Sequence, residues 1–450
     1  VITCVGGQIP NNLAPKLAAR GVRILGTAGE DVDKAEDRSK FSKLLDELGI
    51  PQPEWSKFTS IEDAERFAGR VGYPVLVRPS YVLSGAAMRV AWSGEQLKDY
   101  LMRAAKVSPE HPVVISKFVE GAMEVEVDGV SDGEKVLIGA VIEHVERAGI
   151  HSGDATMVIP PQRLPDHVVE KVKNHASRIA RALRIKGPFN IQFLVKDDEV
   201  YVIECNLRAS RSMPFVSKVK AVNLMKVSAP ILVGRPMEPL PFDEPPAPCV
   251  GIKTPQFSFM QVEGADPVLG VEMRSTGEVA CLGENFFDAY LKSLMAAGFK
   301  IPRPGDNILI TVGGDREKEE AVPIAKTLRS LGYSILATEH TAEHLVKAGV
   351  DGVTVVYKVR ERDRKPNIAD LLAERAIHLV INVPSTRPDR PDVLEDEYVI
   401  RRKAVELGVP VITTIEGAVA LIKALAWMRW NELTVKSLNE YQERALVRIW

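Results

Sequence analysis

The sequence predicts a multidomain chain that combines α/β and α+β folds, and three observations carry that reading. Its 450 residues, set against roughly 150 residues per domain, suggest about three units. It opens on "VITCVGGQIPNNLAPKLAARGVRILGT", which reads as a strand, a Gly-Gly turn, a helix ending near Gly21 and a second strand, a βαβ unit. Toward the other end, "ILITVGG", "SILATEH", "GVTVVYK", "HLVINVPS" and "VPVITTI" are short apolar strands separated by helical segments, the pattern of a small doubly wound α/β domain.

The elements follow in order. A chain that opens on a strand is expected to begin inside a domain. From "DKAEDRSKFSKLLDELGI" onward, helices alternate with β-rich runs such as "YPVLVRPS", "PVVISKFV" and "EVEVDGV", an α+β or mixed-sheet domain. "GRPMEPLPFDEPPAPCV" is too rich in proline to sustain regular structure and marks a connection. "FKIPRPGDN" is a second breaker. The expected blocks are 1–33, 34–236, a connecting segment 237–304, the α/β domain 305–430 and a tail 431–450.

Composition narrows the function classes. With 45% hydrophobic and 26% charged residues and a net charge of -2, the chain offers no field for drawing in nucleic acid. Even the apolar stretch "AVALIKALAWMRW" is broken by Lys423, so no membrane span is expected and the chain reads as an intracellular enzyme. Cys4, Cys205, Cys249 and Cys281 are scattered, without the close pairing of zinc or dithiol sites, and are expected to be reduced packing residues. The histidines show no HExxH spacing, which argues against a zinc hydrolase.

One stretch concentrates chemistry. "IQFLVKDDEVYVIECNLRASRS" reads as a β-hairpin turning at Lys196-Asp197-Asp198. Side chains two apart share a strand face, so Glu204, Asn206 and Arg208 are expected on one side and Ile203, Cys205 and Leu207 on the other. Such an alternation alone is commonly just a solvated face. Gln192 on the partner strand changes the balance, because a carboxylate with two amide oxygens is a hard-oxygen set suited to Mg²⁺. Arg208 and Arg211 follow it, where cations can hold a phosphoryl group or a small carboxylate-like acceptor.

Weaker signals lie elsewhere. "RPSYVLSGAAM" puts Arg78 at a strand end before Ser84, Gly85, Ala86 and Ala87, a loop small enough for backbone N–H groups to approach phosphates. It lacks the Gly-Lys-Ser/Thr ending of a Walker A loop, and an ordinary turn would look the same. "ISKFVEGAMEVEVD" offers backbone groups at Lys117 to Val119 for an adenine edge and Glu124 for ribose hydroxyls, or simply a solvated strand end. His144 and His151 in "EHVERAGIHSGDAT" are each compatible with a structural role.

In this order, "RPSYVLSGAAM", "EHVERAGIHSGDAT" and "IECNLRASRS", with "AEDRSKF", "GGQIPNNLA" and "MRSTGEVA", resemble the large chain of carbamoyl phosphate synthetases. The likeness covers essentially the whole chain and matches the C-terminal half of that family's large chain. It implies a partial pre-ATP-grasp domain, an ATP-grasp domain and a methylglyoxal synthase-like regulatory domain. It also implies phosphorylation of carbamate by ATP with Mg²⁺ or Mn²⁺, and K⁺ as a further ion, for pyrimidine and arginine or urea biosynthesis. The expected partners are an N-terminal synthetase half, an ammonia-supplying glutaminase and a small-molecule effector, in the cytoplasm or the mitochondrion.

By motif position, the resemblance makes Gln192, Glu204 and Asn206 the metal-holding residues, and Arg208 and Arg211 the cations facing phosphoryl group and carbamate. Arg38 and Arg78 match phosphate-contacting arginines, and Ser84 to Ala87 a phosphate-covering loop. Lys117, Val119, Glu124, Gly149, Ile150, His151 and Ser152 fall at nucleotide-pocket positions. Family members differ at Lys117, so only its backbone role carries over. In the regulatory domain Thr338 and Thr341 sit at a strand-to-helix turn suited to an anion, with Lys358 and Asn382 completing the pocket. Asn382-Val383-Pro384-Ser385 lacks the hydroxyl residues that directly follow this asparagine in uridylate-responsive bacterial members, which leaves uridine nucleotide, inosine monophosphate and N-acetylglutamate open as effectors. The rival readings are another ATP-grasp ligase, and a module that binds nucleotide and effector without turnover.

Overall fold

The computed structural model describes residues 1–79, 88–107, 113–385, 391–433 and 435–445. Three sheets organise these residues. The opening unit keeps its helix, Gln8–Ala18, but its strands shrink to one parallel bridge between Ile2 and Leu25. Gly6 and Gly7, at φ of 99° and 84°, turn the chain out of extended conformation straight after the bridge.

The central sheet has seven strands in the order Gly277–Gly283, Val250–Gln256, Met157–Ile159, Val136–Arg147, Met123–Asp132, Lys186–Lys196 and Glu199–Asn206. Every neighbouring pair is antiparallel. One face is apolar because alternate residues point the same way. Val125 and Val127, then Phe189, Ile191 and Phe193, pack on the helix Asp166–Ala182 through Val168, Val172, Ala176 and Ile179, at the spacing of one helix stripe. The connecting segment, expected to complete the synthetase half, contributes two strands to this sheet, Val250–Gln256 and Gly277–Gly283. No helix or strand is assigned through the Pro-rich passage between Leu232 and Val250.

A four-stranded antiparallel sheet, in the order Trp55–Phe58, Val113–Lys117, Val75–Pro79 and Arg89–Ala91, forms a smaller lobe. Its core joins Val75, Val77 and Ile115 to Ala64, Phe67, Leu97 and Leu101 of two helices.

The third sheet is parallel, with strands Val353–Val356, Ser334–Thr338, Asn307–Val312, Leu379–Val383 and Val411–Ile412 in that spatial order. It is doubly wound, as the alternation of strand and helix foretells. Ile308 and Ile310 face helices Asp315–Ser330 and Ile415–Met428, whereas Leu309 faces helices Ile368–Ala373 and Pro391–Glu406. The first of these cores also takes in Val158 and Ile252 of the central sheet and Tyr290 and Leu291 of the helix Phe286–Ala296. The parallel sheet is therefore packed onto the seven-stranded one through continuous apolar contact. All four cysteines are free thiols, three buried and Cys281 partly so, and no described helix is long and apolar enough to cross a membrane.

Candidate functional site

The polar face of the central sheet carries two cross-strand rows. Asp128 lies opposite Asn190, and Asn190 opposite Asn206; one step along, Glu126 lies opposite Gln192, and Gln192 opposite Glu204. Hydrogen bonds follow the rows. Asn190 Nδ2 donates to Glu126 Oε2 at 3.0 Å and to Asp128 Oδ1 at 2.9 Å, and Gln192 Nε2 donates to Glu126 Oε1 at 3.1 Å and to Ser152 Oγ at 3.2 Å. With its nitrogen committed to these oxygens, Gln192 keeps its own carbonyl oxygen for another ligand.

At the sheet edge Asn206 Nδ2 donates to Glu204 Oε1 at 2.9 Å, and Arg208 Nη2 donates to Asn206 Oδ1 at 3.1 Å. Arg208 Nε reaches Gln8 Oε1 at 3.0 Å, so the opening helix braces the guanidinium. Gln192, Glu204, Asn206 and Arg208 are thus brought together as expected from their sequence spacing. The hairpin departs from strict alternation at one point. A bulge between the Gln192↔Glu204 and Phe193↔Val202 pairs leaves Ile203 extra. Cys205 and Leu207 enter the core with Val200 and Val202, but Ile203 does not. Its carbonyl instead accepts Arg38 Nη1 at 2.5 Å. Burial, helped by neighbouring Arg78, lowers the Arg38 guanidinium to about 10 while Glu204 opposes the shift, so these three charges share one neighbourhood. Arg211 is exposed and touches Met273 Sδ at 3.1 Å.

Of the residues expected at the nucleotide pocket, Ser152 touches Gln192, and Glu124 and His151 feel the charge of Glu204. Glu124 is buried, and burial raises its carboxyl to about 7, with Glu126 and Glu204 adding to the rise and His144 opposing it. His144 Nε2 lies 3.4 Å from Glu126 Oε1; burial alone would lower the imidazole, but Glu126 and Glu124 outweigh it and leave it raised. Glu124, Glu126 and His144 hold one ligand atom each within 4.8 Å of one another. Gly149 has φ of 110°, and a Cβ there would meet Phe118 Cζ at 2.9 Å, so the tight turn leading to Ile150 and His151 requires glycine. His151 N donates to Gly270 O at 2.7 Å, and burial lowers its ring. Lys117 Nζ donates to Gly72 O at 2.8 Å and its main-chain N–H to Glu54 O at 2.7 Å. Val119 follows the Val113–Lys117 strand, and its carbonyl accepts Ala122 N at 3.4 Å. A cavity of about 430 Å³ lies between Met88 and Arg89 of the smaller lobe and Gly149, Gly270 and Glu272. Ser84, Gly85, Ala86 and Ala87 lie outside the described residues.

In the parallel sheet, Thr311, Thr338 and Asn382 stand at the C-terminal ends of three adjacent strands. Ligands of doubly wound sheets gather at such ends, where strand order reverses. Thr338 Oγ1 lies 3.4 Å from both Thr311 Oγ1 and Thr341 Oγ1. Asn382 is fully buried, accepts Arg401 Nη1 at 2.8 Å, and has no partner for its Nδ2 among the described residues. Lys358 Nζ is paired with Asp396 Oδ2 at 2.9 Å, so any anion here must compete with that carboxylate.

Sequence reasoning missed Glu126, Asp128 and Asn190. The signal was present, since "EVEVD" and "NIQ" alternate in the same sense as the hairpin. Thr311 and Arg401 had no local signal, because only the fold brings them to Asn382.

The seven-stranded sheet with its smaller lobe, followed by a parallel α/β unit, defines an ATP-grasp protein with an appended MGS-like domain. The biotin carboxylase of Campylobacter jejuni matches with a TM-score of 0.52 at 16% identity, over 63% of this chain and 70% of that one, a likeness of fold alone. Residues 37–240 match the carbamoyl-phosphate synthase L chain, ATP binding domain, and residues 320–413 the MGS-like domain. The C-terminal section of the carbamoyl phosphate synthase large chain of Methanocaldococcus jannaschii is 46% identical, over 99% of this chain and 72% of that one. The chain belongs to the carbamoyl phosphate synthase large-chain family. Multifunctional protein pyr-3 of Neurospora crassa is likewise 46% identical over 96% of the chain, and the mitochondrial ammonia-type carbamoyl-phosphate synthase of Aquarana catesbeiana 45% over 98%. The chain spans 24% of the first of these and 29% of the second.

Proposed function

We propose that this chain transfers the γ-phosphoryl group of ATP to carbamate, giving carbamoyl phosphate and ADP. The observation that carries the reading is the convergence of Gln192, Glu204, Asn206 and Arg208 at one sheet edge beside Arg38. A carbamate oxygen attacks the γ-phosphorus, and the bond from that phosphorus to the β–γ bridging oxygen breaks, so the electron pair leaves with ADP. Carbamate is already an oxyanion, and no protein nucleophile or base is needed. What remains for the protein is positioning and charge neutralisation.

Gln192, Glu204 and Asn206 would hold Mg²⁺. Their carboxylate and amide oxygens are hard donors, which fit that ion; Mn²⁺ would take the same donors, and K⁺ is a further ion in this reading. The metal neutralises phosphate charge when bound. Arg208 and Arg211 orient the transferred group and carbamate, Arg38 and Arg78 hold the remaining phosphates, and the segment from Ser84 to Ala87 covers them. Lys117 and Val119 meet the adenine through their main chain, Glu124 the ribose, and Gly149 to Ser152 the far side of the nucleotide. In the longer protein, an N-terminal half would supply carbamate from bicarbonate and glutamine-derived ammonia for pyrimidine or arginine synthesis, in cytoplasm or mitochondrion. Thr338, Thr341, Lys358 and Asn382 would receive the effector. The blocks 1–33, 34–236, 237–304, 305–430 and 431–450 are the domain division that accompanies this reading.

The back-reaction tests it. ATP should form from ADP, Mg²⁺ and carbamoyl phosphate, and Glu204→Ala should abolish it. No ATP from the parent despite MgADP binding would favour a module that binds without turnover.

A further inference from the structure

Arg208 and Arg211 sit on residues 207–212, a stretch with no helix or strand of its own. Ala209 N ties it to Cys4 O at 2.9 Å and Arg208 Nε to Gln8, and a carboxylate two strands away holds both hydroxyls that flank Arg211. Asp128 is fully buried. Its Oδ1 accepts Ser210 Oγ at 2.7 Å and Asn190 Nδ2 at 2.9 Å, and its Oδ2 accepts Ser212 Oγ at 2.6 Å. The two hydroxyls lie 3.0 Å apart and bracket Arg211 in sequence, while Ser210 Oγ also accepts Met213 N at 3.0 Å to start the next helix. The other arm runs from Asn190 Oδ1 to Asn206 Nδ2 at 3.5 Å, and Asn206 Oδ1 receives Arg208. Among the described residues, the hydrogen bonds of this side chain lead to segments that carry the site. A buried carboxylate costs free energy that an apolar residue would not, so a role in packing alone does not account for it.

We propose that Asp128 is the positioning residue of the phosphoryl-transfer end, fixing residues 207–212 so that Arg208 and Arg211 are aimed at the transferred group. The proposal rests on the carbamate-phosphorylating reading for its kinetic consequence, but its structural consequence is independent of that reading.

The experiment uses the intact chain and compares the parent with Asp128→Ala and Asp128→Asn. Three quantities are measured: ATP formation from ADP and carbamoyl phosphate, calorimetric MgADP affinity, and amide hydrogen exchange across residues 207–213. Loss of a supporting hydrogen-bond partner of this kind costs about 10–100-fold, so Asp128→Ala should lower kcat by about that factor with MgADP affinity unchanged. Asp128→Asn keeps an oxygen for Ser210 and Asn190 and can donate to Ser212, and should restore most of the rate. Exchange at 207–213 should accelerate in the alanine variant only. An unchanged kcat in Asp128→Ala, or a loss matched by an equal loss of MgADP affinity, overturns the proposal. If the parent forms no ATP, the reaction assignment fails, and the positioning role is then decided by exchange, where unchanged protection overturns it. Should Asp128→Ala not fold, the double variant Ser210→Ala, Ser212→Ala severs the same bonds from the other side and is judged by the same readouts.

Discussion

Replacing Glu397 by glutamine should stabilise the chain in alkaline but not in acidic solution. Glu397 lies on the helix Pro391–Glu406 and is 5% exposed, with no hydrogen-bond partner for its Oε2 among the described residues. Burial raises its carboxyl from an ordinary 4.5 to about 7; Arg401, Lys358 and the Ser385 main chain oppose that rise, and Asp266 adds to it. The unfolded chain loses this proton near 4.5, whereas the folded chain keeps it to about 7. Between those values the folded state binds more protons, so stability falls as pH rises through the window and stays lower above it. A rise of that size corresponds to about 3 kcal/mol. Glutamine is neutral throughout and escapes the loss. Urea unfolding followed by circular dichroism should therefore show the variant more stable by up to about 3 kcal/mol near pH 8, with little gain near pH 5. An equal effect at both values, or a loss near pH 8, would refute the reasoning.

Other substitutions probe packing and the junction between the sheets. At Gly251 an added Cβ would stand 2.2 Å from Val219 Cγ2 and 2.9 Å from Phe215 Cε2, so Gly251→Ala should destabilise by about 1–3 kcal/mol through overpacking, read as a lower urea midpoint. Phe193 is fully buried, and Phe193→Ala should cost about 3–5 kcal/mol in the same measurement. Arg401 joins Asp266 at 2.8 and 2.6 Å as well as Asn382. Arg401→Met should release the segment around Asp266, seen as faster protease cleavage between Gln256 and Thr276; unchanged cleavage would mean that Arg402, through Phe259 O and Val262 O, and Tyr398, through Gly264 O, suffice to hold it.

Much of this was legible in the sequence, for physical reasons. The parallel α/β unit announces itself because strands buried on both faces are continuous apolar runs, as Ile308 to Ile310 are. The Gln192, Glu204 and Asn206 edge was readable because hairpin pairing is local and a strand alternates with period two. What escaped depends on pairing between strands distant in sequence. Asp128 meets Asn190 only through the register of two strands about 60 residues apart, and it meets Ser210 only after the chain has returned along the next strand. The opening βαβ unit was over-read for the reverse reason. Its helix is local, but strands need partners, and among the described residues Ile2 and Leu25 find only each other.

The bulge at Ile203 has a meaning for how the site was assembled. On the turn side of the hairpin the inward residues are Val200 and Val202; on the site side they are Cys205 and Leu207. Deleting Ile203 would leave all four inward and Glu204 and Asn206 outward, so the parity of the faces does not depend on it. What would vanish is the spare carbonyl to which Arg38 is tied. The residue that alternation does not need is the one that fastens a cation from a different helix to the strand carrying the carboxylate. Substitution of Ile203 should therefore be borne better than its deletion, because what Arg38 uses is a peptide unit and not the side chain.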